Sequence, residues 1–150
     1  MESMPISGEA DHTASPTRIY RIGGQDALRI KVSAGDYLCV SSASGHQPCE
    51  MLVLNSASEP AAACVDTAQT PAPALLTWQL LKENSHAARA LNNRFAQWNI
   101  RDEHLGQALT FAAQSLPALS IRQDAELIII APGASMMVDD QTPPEELTVS

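Results

Sequence analysis

The chain has 150 residues and a mass of 16.0 kDa, the usual size of one domain, and its 45% hydrophobic and 17% charged residues suffice to fill a single core. Aromatics make up only 4%, so that core has to be aliphatic. The formal charge of −8 argues against nucleic acid or an anionic membrane as main partner; three of the 17 acids lie in residues 1–17 and four in 139–150, and both ends lack a base.

No apolar run approaches the roughly 20 residues of a membrane-spanning helix. Met1–Pro5 has neither the basic start nor the apolar stretch of a signal peptide, so cytoplasm is the expected compartment. Three cysteines, Cys39, Cys49 and Cys64, are an odd number in a chain long enough to fold without staples, which fits reduced thiols.

Residues 1–17 show no hydrophobic period and are expected to form a flexible acidic leader, with one β-rich domain over 18–150. Ile19–Ile22, Ala27–Val32, Tyr37–Val40 and Cys49–Leu54 read as four short strands; in the second, Leu28, Ile30 and Val32 alternate with Arg29 and Lys31. Turns rich in Gly, Asp and Ser separate them, a spacing that predicts an antiparallel meander or the start of a small barrel. Pro60, Pro71 and Pro73 mark 56–74 as a connecting loop. Helical spacing follows over about 74–115, in three pieces: 74–84 with Leu75, Trp78 and Leu81 on one face, 85–100 with Ala88, Leu91, Phe95 and Trp98, and 102–114 beginning at Asp102. The β pattern returns at 118–121 and in Glu126–Ala131, whose Leu127–Ile130 run suits a central strand covered on both faces. Ser135–Pro144 reads as a loop and 146–149 as a last edge strand. The expected class is α+β, mainly antiparallel β in a small barrel or sandwich, with a helical segment inserted between N-terminal and C-terminal strands.

The polar loop Gly45–Glu50 enters a strand and collects an imidazole, an amide, a thiol and a carboxylate. Gln47 offers a paired donor and acceptor to an amide, urea or carboxylate group, and Glu50 accepts from an amine or guanidinium. His46 and Cys49 form half a zinc site at most, since zinc takes three or four protein ligands; no cofactor is favoured, and zinc at these two residues is the alternative. There is no nucleophile elbow, P-loop or complete dinucleotide motif. Asp139–Asp140 reads as a solvated pair in a loop, and His86, Arg89 and Asn93 as the exposed face of a helix.

In its order of motifs the chain resembles the urea-carboxylase-associated family: Gly23-Gly24, Val32-Ser33-Ala34-Gly35-Asp36, the G-x-Q-x-x-(D/E) loop Gly45–Glu50 before Met51–Asn55, Asp124–Ile130, and Pro143–Val149. Related domains are fused to proteins similar to the aminomethyltransferase of the glycine cleavage system. The resemblance implies a β-barrel-like domain tied to amine, urea or one-carbon metabolism, Gly35 and Asp36 as turn formers, and Gln47 and Glu50 as a polar pair facing a pocket. It departs from the family in the middle, where 75–115 holds no cysteine and only His86 and His104.

The combined reading is a non-catalytic or regulatory domain that binds a small polar or zwitterionic metabolite, or a metabolic enzyme, through Gln47, Glu50, His46 and Asp36. The alternatives are a small metal-assisted enzyme using His46 and Cys49, and an assembly module for an aminomethyltransferase-like partner. Homo-oligomers are compatible with either.

Overall fold

The computed structural model describes residues 17–42, 47–67, 69–112 and 119–141, so the leader up to Pro16, the expected last strand at 146–149 and His46 lie outside the described residues. Strands β1 (Thr17–Ile22), β2 (Asp26–Val32), β3 (Tyr37–Ser41), β4 (Pro48–Leu54) and β5 (Val65–Asp66) precede helices α1 (Leu75–Leu81), α2 (His86–Gln97) and α3 (Asp102–Leu105). Strands β6 (Leu109–Ala112), β7 (Leu119–Ile121), β8 (Ala125–Ala131) and β9 (Met136–Gln141) follow. The molecule is therefore α+β and mainly antiparallel, and its two sheets form an open sandwich rather than a closed barrel.

One sheet runs β1-β9-β3-β7-β5 and the other β2-β8-β4-β6. Consecutive strands never pair: along the chain they alternate between the sheets, which replaces the expected meander. The first turn shows why. Gln25 donates its backbone N–H to the carbonyl of Gly133 (3.0 Å) instead of closing a hairpin between β1 and β2, so the chain crosses to the second sheet at that point. Each strand then finds its partner far away in sequence, β1 against β9 and β2 against β8.

Period-two alternation sorts the side chains. Ile30, Val32, Met51, Val53, Leu127 and Ile129 point into the core between the sheets with Leu38, Val40 and Val138, whereas Ala27, Leu52, Leu54, Ile128 and Ile130 face the helices. β8 is thus buried on both faces between β2 and β4, as its uninterrupted Leu-Ile-Ile-Ile run predicts. The helices cover the outer face of this sheet through Leu80, Leu91, Phe95 and Leu105. The other sheet has Ile19 and Tyr37 60% and 45% exposed. No helix among the described residues is long and apolar enough to cross a membrane.

Three further expectations change. The helical segment ends at Leu105 rather than near 115, because Gly106 closes α3 and Leu109 and Phe111 then alternate with Thr110 as an edge strand on β4. Met136–Gln141, within the Ser135–Pro144 stretch read as a loop, is an internal strand that joins β1 to β3; Met136, Val138 and Asp140 share its buried face. On α1 the buried side chains are Thr77 and Leu80, and Leu75 is 61% exposed, a rotation that the anchoring of Thr77 explains.

Candidate functional site

Helix α1 has no capping side chain of its own, since its N-cap is Ala74. Its first N–H groups would be orphaned under a packed sheet. Glu50, on the helix-facing side of β4 and 2% exposed, takes that role from a distance: its carboxylate accepts from the N–H of Leu76 (3.1 Å), the N–H of Thr77 (2.8 Å) and the Thr77 hydroxyl. An acid at a helix N-terminus also meets the favourable end of the helix dipole. Glu50 is therefore an internal anchor that holds α1 against the sheet.

Gln47 sits at the start of β4, where three segments converge. Its Oε1 accepts from the N–H of Ala134 (3.2 Å), which fixes the orientation of the carboxamide and leaves its NH2 group as a donor. Gly24 and Gly133 make the close approach possible. A Cβ on Gly24 would lie 2.8 Å from the Gly133 carbonyl oxygen, and one on Gly133 would lie 2.3 Å from Gln47 Oε1. Above this junction opens a cleft of about 230 Å³, walled on one side by Gln25, Gln47, Pro132 and Gly133 and on the other by the α1 side, with Leu76, Gln79, Leu80 and Glu83. Its polar groups are three carboxamides and one carboxylate, a set able to donate to and accept from one small molecule at once.

Gln47 and Glu50 thus do not meet in one pocket: Gln47 lines the cleft, and Glu50 fixes the helix that forms the cleft's opposite wall. Asp36 lies elsewhere, buried with Asp140 in the region of the Ser33–Asp36 turn, where its Oδ2 accepts from Ser33 N–H (3.0 Å). Cys49 points away from Glu50 into the inter-sheet core, and burial, aided by the neighbouring Glu50 charge, pushes its thiol up to about 12. A metal ligand has to be thiolate, so this position opposes ligation. Among the described residues no group of three or more His, Cys, Asp or Glu is placed to hold a metal ion. The buried His104 serves the fold: Nδ1 accepts from Arg101 N–H (2.9 Å), and Nε2 lies 3.2 Å from the Ser58 carbonyl, tying α3 to the loop after β4.

Gln25, Gln79 and Glu83 escape a reading of the sequence by motif. Leu76, Gln79, Leu80 and Glu83 do recur at helical i, i+3, i+4 and i+7 spacing, a signal for one shared face. Gln25 carries no such signal; its φ of 57° in the first turn is what brings it to the cleft.

The fold is similar to that of a crystal structure of a DUF1989 family protein from Silicibacter pomeroyi, with a TM-score of 0.57 and 11% identity over 91% of this chain and 81% of that one. At that identity the likeness extends to the fold alone. No protein-family model matches the chain, and no curated protein matches it.

Proposed function

We propose that this chain is a domain of the urea-carboxylase-associated type that binds a small polar or zwitterionic metabolite in the cleft beside Gln47. DUF1989 designates that family, and the similarity of fold supports the resemblance carried by Gly23-Gly24, the Gly35-Asp36 turn and the Gly45–Glu50 loop. The observation that carries the reading is the Gln47 carboxamide, held by Ala134 N–H with its NH2 group left to donate, in a cleft whose other polar groups are Gln25, Gln79 and Glu83. Carboxamides recognise groups with adjacent donors and acceptors, and Glu83 accepts from a cationic end. The reading is binding rather than catalysis: among the described residues that line the cleft, carboxamides dominate and Glu83 is the titratable side chain. The buried thiol of Cys49 gives no support to the metal-assisted alternative.

The test is a titration with urea, acetamide, glycine and short alkylamines at sub-denaturing concentrations, followed by amide chemical shifts. At least one compound should move the signals of Gln25, Gln47, Gln79 and Glu83 together, and Gln47→Ala should weaken that binding about tenfold or more, the cost of one or two hydrogen bonds. If no compound perturbs the cleft, or Gln47→Ala binds as tightly as the parent, the proposal fails.

A further inference from the structure

A second polar cluster, unconnected to the cleft, lies where β1, β9 and the turn before β3 meet. Asp140 on β9 stands opposite Arg18 on β1 and Leu38 on β3, and Asp36 closes the turn that leads into β3. Asp140 and Asp36 are 0% and 1% exposed. Each carboxyl satisfies one oxygen: Asp140 Oδ2 accepts from Arg18 Nη2 (2.8 Å) and Asp36 Oδ2 from Ser33 N–H (3.0 Å). The second oxygen of each, Oδ1, is buried and has no donor among the described residues. Asp140 pairs with Leu38 across β3 and β9, and Asp36 lies two residues before Leu38 with the same buried alternation, which makes the two acids diagonal neighbours across the strands.

Charge and hydrogen bonding pose the same problem here. Two buried carboxylates beside one half-exposed guanidinium leave a net negative charge out of water, and each carboxyl keeps one buried oxygen without a donor among the described residues. A single proton removes both costs. We propose that Asp36 and Asp140 hold one proton between them at neutral pH, so that with Arg18 they form an electrically balanced trio and a pH-sensitive latch between β1, β3 and β9.

Among the described residues the surroundings offer no other group to do this. On the same face of β1 the next side chain is Tyr20, β3 contributes Leu38 and Val40, and β7 contributes Leu119 and Ile121. The opposing sheet lines the core with Ile30 and Val32 of β2, Met51 and Val53 of β4, and Ala125 and Leu127 of β8, all uncharged; its own titratable side chain in that core is Cys49. Lys31 lies out of register with Val32 on the other face of β2, and Asp124 is engaged with Ala34 N–H (2.9 Å). Asp139 belongs to the opposite face of β9.

The sign of the pH dependence follows. Burial first, then the Asp36 charge, hold the Asp140 carboxyl above the ordinary carboxylate value of 3.8, with Arg18 pulling the other way. A carboxyl raised in the folded state contributes its stabilisation fully below the unfolded value and loses it as pH rises through the folded one. Because the two groups are coupled, the proton belongs to the pair.

Carboxyl ¹³C chemical shifts of Asp36 and Asp140 in the intact protein, recorded from pH 3 to 9, test the proposal. One of the two should keep the shift of a protonated acid well above pH 5. In Asp36→Asn the amide NH2 replaces the shared proton and the amide oxygen keeps Ser33 N–H, so the variant should melt higher than the parent at pH 8 and lose the parent's decline in melting temperature as pH rises through that transition. Ordinary carboxylate titration of both groups in the parent overturns the proposal whether or not the variant folds, as does an unchanged pH slope in Asp36→Asn.

Discussion

Glu50 shows how much one side chain carries when it is buried among donors. Removing its carboxylate leaves two backbone N–H groups and a hydroxyl unsatisfied under α1, so Glu50→Ala should destabilise the protein by about 3 kcal/mol, from the cost of orphaned buried donors. Glu50→Gln, which keeps the shape and an acceptor, should lose less, and urea denaturation of the two variants separates the cases. Gly24 makes a comparable point about space. A methyl at that position meets the Gly133 backbone, which cannot rotate away, so Gly24→Ala should cost roughly 1–3 kcal/mol by overpacking. The cysteines differ by environment: Cys49 and Cys64 are buried and Cys39 is partly exposed. Brief alkylation of the native protein should therefore label Cys39 first and spare Cys49, whose thiol stays neutral below its raised value of about 12; mass spectrometry of tryptic peptides reads the order.

At the level of elements, α1 and α2 begin in opposite ways. α2 carries its own N-cap, Ser85, whose hydroxyl accepts from Ala88 N–H (3.1 Å), so Ser85→Ala should cost about 1 kcal/mol, measurable by thermal or chemical unfolding. α1 borrows its cap from β4, and for that reason its first turn cannot be read from its own residues. The same contrast runs through the predicted elements. α2 and β8 are legible because their burial is periodic in the sequence: Ala88, Leu91 and Phe95 recur on one helix face, and the apolar run of β8 is sealed on both sides. β9 is not, because Asp139–Asp140 reads as solvated until Arg18 and Asp36 are seen beside Asp140. β6 lies hidden at the end of a helical spacing that Leu105 and Leu109 share, and Gly106 is the place where the spacing stops describing a helix.

Taken as a whole, the molecule is built from pairings distant in sequence, Arg18 with Asp140 being 122 residues apart. Because β9 lies between β1 and β3, a chain ending at Ser135 would lose both ladders and expose Leu38, Val40 and Ile22; it should show no cooperative melting transition, whereas a retained one would mean that β1 and β3 are held by the opposite sheet alone. By itself the sequence determined the α+β class, the aliphatic core, the double burial of β8 and the polar character of the loop before β4, because each is written in local periodicity and composition. Only the tertiary structure decided that consecutive strands change sheets, that Glu50 anchors α1 while Gln47 lines the cleft beside that helix, and that two aspartates are buried beside an arginine. These depend on which segments meet across the sandwich, and a strand's alternation specifies that it has two faces without specifying what will lie against either.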